Sequence, residues 1–258
     1  MKKIICMVLA LTMVFALCAC GQKAPEKMVY AVEAGSAGEA VAQEKGWEVN
    51  SVESQAAALM EVEAGTSDAA IIDLLMAGAM IGEGTSYPEL KHTDSLTTEE
   101  YGVGCRKGSD LAAFINVVFN EAYTDGSMKE IAKLYGVQEA LIDMPAAEFT
   151  ASADGDVAYI QGKGVLVVGI TDFAPMDYKD ANNEWIGFDA DMARVVADKL
   201  GVEIEFVEID WNNKILELDA KNIDVVWNGM TLTDAVMEAM ECTNPYCNNA
   251  QVVVVPAK

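Results

Sequence analysis

Two rhythms alternate along the chain. Short apolar and β-branched runs recur at VYAVEA (29–34), WEVNSV (47–52), DAAII (68–72), VLVVGI (165–170), VEIEFVEI (202–209) and IDVVWN (223–228), and each predicts a strand. Between them lie stretches with a helical period, many ending at glycine. SAGEAVAQEKG (36–46) has Ser36 at its start and Gly46 as its stop, and SQAAALMEVEAG (54–65) runs from Ser54 to Gly65. DLLMAGAMIG follows at 73–82. FDADMARVVADKLG (188–201) sets Phe188, Met192, Val195 or Val196, and Leu200 on one face, and NNKILELDAK (212–221) closes the set.

The order strand, helix, strand, helix, strand thus occurs twice. MEVEAGTSDAAII (60–72) lies without gaps over LELDAKNIDVVWN (216–228), matching Glu61 to Glu217, Ala64 to Ala220 and Asp68 to Asp224. Two copies predict two α/β lobes, each with a mostly parallel sheet flanked by helices. GSDLAAFINVVFNEAYTDGSMKEIAKLYG (108–136) reads as two further helices, the second opening on a Ser127-x-x-Glu130 capping box. DMPAAEFTASADGD (143–156) is small, acidic and aperiodic, and reads as a linker.

Composition narrows the function classes. The chain has 258 residues, is 52% hydrophobic and carries a net charge of -24. That charge argues against nucleic acid and against attraction to an anionic membrane. Lys2 and Lys3 precede an apolar run from Ile4 to Ala19, which is short for a membrane span and fits an export signal. Beyond Cys20 only Cys105, Cys242 and Cys247 remain, an odd number that excludes a complete set of internal disulfides. Cys242 with Cys247, or Cys105 with Cys247, are conceivable pairs; free, partly buried thiols are the expectation. Three cysteines and the single His92 show no metal-site spacing, and His92 is expected in an exposed loop. One loop histidine supports no nucleophilic triad, so no catalytic residue and no cofactor is expected.

Ligands of open parallel sheets lie beyond the carboxyl ends of the strands. Those ends are Glu33 to Gly38 and Asp73 in the first copy. In the second they are Asp172 to Tyr178, Trp211, and Asn228 to Thr231. Ser36 and Ala37 either make a tight turn or offer helix-start N–H groups to an anion. Asp73 either caps a helix or pairs with a ligand ammonium. Phe173, Trp211 and Trp227 are core aromatics or stacking walls. Asp172 is a cleft acid or a turn former.

VLVVGITDF (165–173), GFDADMA (187–193), KNIDVVWNGMTLT (221–233), NPYCNNAQVVVV (244–255), VYAVEAGSAGEA (29–40), SDAAIID (67–73) and YGVGCRKGSD (101–110) together resemble the polar amino-acid binding proteins of ABC importers, the type II periplasmic binding proteins. In that family VLVVGITDF comes first and YGVGCRKGSD late, so the resemblance implies a circular permutation. LCAC (17–20) resembles a lipoprotein box, which implies a signal peptide over 1–20, lipidation at Cys20, a tether over 21–27 and a place on the outer face of the cell membrane. The implied lobes are 103–247, containing the linker 143–156, and 28–102 with 248–258. The hinge is implied near 101–105 and 245–249. The implied partners are a small solute and a membrane permease, with the protein a monomer.

The resemblance also assigns roles. Phe173 and Trp211 would flank the ligand, Gly229 and Thr231 would contact it, Ser36 and Ala37 would meet its carboxylate, and Asp73 its α-ammonium. Asp172 would lie at the rim. The family's carboxylate-binding arginine is replaced by Val236, and Glu33 stands where some members carry lysine. The expectations left open are a carboxylate held by Asn228 and backbone donors or by a displaced Arg or Lys, a cationic or neutral ligand lacking a carboxylate, and lost affinity. An enzyme or a sensor on the same two lobes is the rival from another class.

Overall fold

A computed structural model describes residues 27–258. The expected signal peptide, Cys20 and all but the last residue of the expected tether lie outside the described residues.

Two large sheets and a small two-stranded ribbon run through the described residues. The first takes β1 (Val29–Glu33), β2 (Glu48–Val52), β3 (Ala69–Asp73), β4 (Leu90–Ser95) and the last strand, β13 (Gln251–Pro256), in the order β2-β1-β3-β13-β4. Strands β1, β2 and β3 are parallel, and β13 runs antiparallel to β3 and β4. Helices α1 (Ala37–Glu44) and α2 (Gln55–Ala64) cover opposite faces. The alternation of strand side chains decides this. Ala70 and Ile72 point to the cluster holding Ala58, Leu59 and Val62 of α2. Ala69 and Ile71 point to the cluster holding Ala42 of α1. A third helix, α3 (Leu74–Met80), follows Asp73 directly.

The second sheet contains β5 (Glu99–Cys105), β6 (Val165–Ile170), β9 (Glu203–Glu208), β10 (Val225–Thr231), β11 (Glu241–Cys242) and β12 (Cys247–Asn249). β9, β6 and β10 are parallel neighbours, and β5 lies antiparallel beside β10. A two-stranded ribbon, β7 (Tyr178–Lys179) with β8 (Trp185–Ile186), stands apart. One face carries α4 (Leu111–Asp125), α5 (Ser127–Leu134), α6 (Asp156–Lys163) and α7 (Phe188–Leu200), packed on Leu166, Val168, Ile170, Val225 and Trp227. Val167, Val226 and Met230 face the other way, towards α8 (Lys214–Asp219) and α9 (Asp234–Ala239). The expected architecture, two α/β lobes with flanked sheets, is what the structure shows.

Several local expectations are corrected. The chain changes sheets between Ser95 and Glu99 and returns between Asn249 and Gln251. The positions expected to be hinge, 101–105 and 245–249, mostly belong to the second sheet instead, because β5 and β12 pair with each other at Tyr101 and Cys247. Residues 99–102 therefore sit with the second lobe. Ser127 makes no capping box: Gly126 is the cap, and the Ser127 hydroxyl bonds Asp125 and the Ala122 carbonyl. His92 is exposed on the edge strand β4, not in a loop. The linker 143–156 is largely irregular but docked: Phe149 packs edge-on against Phe114, and Asn120 donates to the Met144 carbonyl. Cys105, Cys242 and Cys247 are free thiols. The start of β1 and the end of β13 lie at the same end of the first sheet, since both strands flank β3 with opposite directions.

Candidate functional site

The carboxyl ends of β1 and β3 face those of β10 and the Trp211 turn across a cavity of about 360 Å³. The first lobe contributes Glu33, Ser36, Ala37, Glu39, Gln55 and Asp73; the second contributes Trp211, Lys214, Asn228, Gly229, Thr231 and Val236. The lobes are close together here. A Cβ on Gly35 would stand 2.8 Å from Asn212 Cα, and the φ of +73° at Gly35 also favours glycine.

Eight of the ten anticipated site residues line this cavity: Glu33, Ser36, Ala37, Asp73, Trp211, Asn228, Gly229 and Thr231. Two do not. Phe173 is buried beneath Gly229, where a Cβ would come within 2.3 Å of its ring, and its ring meets Tyr101 edge-on at 6.3 Å. It is a core aromatic under the cavity floor. Asp172 is exposed and borders two other hollows, one shared with Glu208 and Asp210.

Most polar atoms expected to meet a ligand are already engaged by the protein. Asp73 heads α3 but makes no side-chain cap. Its Oδ1 accepts from Tyr101 at 2.7 Å, from Gln251 at 3.0 Å and from Asn249, while Oδ2 accepts from Gln55. Burial outweighs these donors and lifts its carboxyl to about 7. The Asn228 side chain is turned to Thr171, accepting from its N–H at 2.9 Å and donating to its hydroxyl at 2.7 Å. The Gly229 N–H donates to Asp189 at 2.6 Å, away from the cavity. Thr231 donates to Glu99 at 3.1 Å. At the start of α1, Ser36 caps Glu39 N–H, and the Glu39 carboxylate accepts from Gly35 N–H at 2.8 Å. That carboxylate already sits at the positive end of the α1 dipole, where an anion would go.

Two side chains differ. Lys214, buried, reaches across from α8 and donates to the Gly35 carbonyl at 2.8 Å and the Trp211 carbonyl at 3.2 Å. An ammonium has three N–H donors, so one is left for a ligand. Its Nζ also lies 4.8 Å from the Trp211 ring centre. Burial lowers its affinity for its proton, against the pull of Glu33, Asp210 and Glu39. Glu33 is 3% exposed, and its Oε1 has no hydrogen-bond partner. Burial, reinforced by Asp73 and opposed by Lys214, pushes it up to about 8.

Pattern alone does not mark Lys214, because it opens a short helix where lysine is unremarkable. Arg106 stays out of the cavity and binds Asp156 and Asp224. Among the described residues no group of three or more His, Cys, Asp or Glu side chains is placed to hold a metal ion. No described helix is long and apolar enough to cross a membrane.

The chain is similar to known proteins over part of its length. It is 32% identical over 106 residues to the arginine-binding extracellular protein ArtP of Bacillus subtilis, covering 41% of each chain. It is 32% identical over 117 residues to a probable amino-acid ABC transporter-binding protein of Haemophilus influenzae, covering 45% of this chain and 46% of that one. A solved polar amino acid ABC uptake transporter substrate binding protein from Streptococcus thermophilus is 33% identical over 34% of each chain, with a TM-score of 0.33. The matched stretch is thus less than half the length of these relatives. Residues 166–258, the part that builds the Trp211, Lys214 and Asn228–Val236 wall of the cavity, match the bacterial extracellular solute-binding proteins, family 3.

Proposed function

We propose that this protein is an extracytoplasmic solute-binding lipoprotein of an ABC importer that captures a small amino acid or amino-acid-like solute between its lobes. The observation that carries the reading is the single cavity to which both lobes contribute strand ends, with Glu33 and Asp73 on one wall and Lys214 and Trp211 on the other. Such a wall pair suits a zwitterion. The partial match to extracellular solute-binding proteins and the names of the relatives support the same class. Capture involves closure and release without covalent chemistry, so incubated solutes are returned unchanged; conversion of any of them rejects this reading in favour of an enzyme.

Lys214 supplies the charge for a ligand carboxylate that Val236 does not. It lines the same cavity as Val236 and retains a free donor. A second reading, an amine without a carboxylate, is favoured by the acid excess of the lining: Glu33, Glu39 and Asp73 against one lysine. A thermal-shift screen separates the two, because ligand that binds only the folded state raises the melting temperature. L-lysine stabilising more than cadaverine supports the amino-acid reading, and the reverse supports the amine. No shift with any amino acid or amine rejects both.

Cys20 carries the lipid anchor in this reading, and a monomer delivers solute to a membrane permease. Loss of fatty-acid labelling in Cys20→Ala checks the anchor. The order of motifs is that of a circular permutant, supported by the β1 start and the β13 end lying one strand apart at the same end of a sheet.

A further inference from the structure

The cavity holds two buried carboxyl groups, and their surroundings are opposite. Asp73 receives four hydrogen bonds from Tyr101, Asn249, Gln251 and Gln55. An ionised carboxylate has about four acceptor sites, so Asp73 is saturated by neutral protein donors. Glu33 lies at the end of β1 on the same wall and is almost fully buried; Thr171 and Gln55 are the neutral donors beside its carboxyl, and its Oε1 has no hydrogen-bond partner. The nearest cation does not satisfy it: Lys214 directs its hydrogen bonds to the Gly35 and Trp211 carbonyls. A buried polar atom without a partner is unfavourable unless something else supplies one. Glu33 itself lines the cavity.

We propose that Glu33, rather than Asp73, is the direct acceptor for the ligand's cationic group, and that it selects solutes bearing an alkylammonium or guanidinium. The proposal rests on the cavity being the solute site. Asp73 is then a positioning residue. It organises Gln55, which donates to one of its oxygens, and ties Asn249 and Gln251 at the return crossing into the first lobe. Capture of a cation favours the ionised form of Glu33, so binding is accompanied by proton release. The charged groups facing Glu33 are Asp73 and Lys214; Glu39 and Asp210 act on Lys214 in turn.

Titration calorimetry with L-lysine and cadaverine on the wild type, Glu33→Gln and Asp73→Asn tests this. Glu33→Gln is expected to weaken binding of whichever probe binds the wild type by about tenfold or more, as expected when a charged hydrogen bond is replaced by a neutral one. Asp73→Asn is expected to change affinity less while lowering the melting temperature. Wild-type binding near neutral pH, repeated in buffers of different ionisation enthalpy, is expected to show a fraction of a proton released. Unchanged affinity in Glu33→Gln overturns the proposal and leaves the solute site standing. If that variant does not fold, absence of proton release by the wild type overturns it. If neither probe binds the wild type while neutral amino acids do, cation selection by Glu33 is overturned. If no solute of either kind binds, the solute site falls with it.

Discussion

Gly229 illustrates how much a single position decides. Its φ is +54°, and its missing side chain is the space that the Phe173 ring fills. Gly229→Ala forces both a strained backbone and a displaced ring. It should cost roughly 2–4 kcal/mol in urea denaturation, with the cavity floor disturbed as well. Asp73→Ala should cost about 2–4 kcal/mol, because it strands the donors of Tyr101, Gln55, Asn249 and Gln251 in a buried place. Glu33 should behave in the opposite way: Glu33→Gln removes a group that must either stay protonated or ionise unpaired, so the unliganded protein should be at least as stable above about pH 7. Denaturant midpoints of the three variants at that pH check all three expectations. The residue identities at strand ends were legible from the alternation of apolar runs and turn residues. Their hydrogen-bond states were not, since Tyr101, Asn249 and Gln251 come from strands far along the chain from Asp73.

At the scale of elements, one cluster fastens α6 to the second sheet. Asp224 has a fully buried side chain, accepts from Val167 N–H at 2.8 Å and pairs with Lys163 at 2.6 Å and Arg106 at 3.4 Å. Arg106 also binds Asp156 at 2.9 Å, at the head of α6. Removing one member of such a buried group leaves the others uncompensated. Asp224→Ala should therefore lower stability by about 3–5 kcal/mol, read from urea midpoints, and should expose the 143–156 segment to protease. Helix limits were readable where a glycine ended an apolar stripe, as at Gly65 and Gly201, both left-handed C-caps. The Ser127 capping box was a matching string without the matching geometry, because Gly126 had already taken the cap position.

The whole molecule stores several buried acids. Asp73 and Asp189 are raised from 3.8 to about 7, and Glu33 from 4.5 to about 8, in each case chiefly by burial. Each folded-state value exceeds the unfolded one, so the folded protein binds more protons across the interval between them. The stability from these groups is complete below the unfolded values and is lost as pH rises towards 7 for the aspartates and 8 for Glu33. The melting temperature of the unliganded protein should therefore fall by about 10 °C or more between about pH 5 and pH 8. The net charge of -24 pushes in the same direction by self-repulsion. Salt near about 0.5 M screens the surface part and spares the buried part, so a fall that persists in salt identifies the buried acids. Scanning calorimetry at several pH values reads both.

The sequence by itself determined the two-copy order of strands and helices, and with it two α/β lobes with flanked sheets. Local chemistry suffices for that: apolar period, caps and glycine stops act over a few residues. Only the tertiary structure decided which of those strand-end groups remain free. It saturated Asp73, buried Phe173 under Gly229, turned Asn228 to Thr171 and brought Lys214 into the cavity that Val236 also lines. Each of these depends on partners distant in the chain, whose approach is set by sheet order and by the packing of the two lobes rather than by any neighbouring residue.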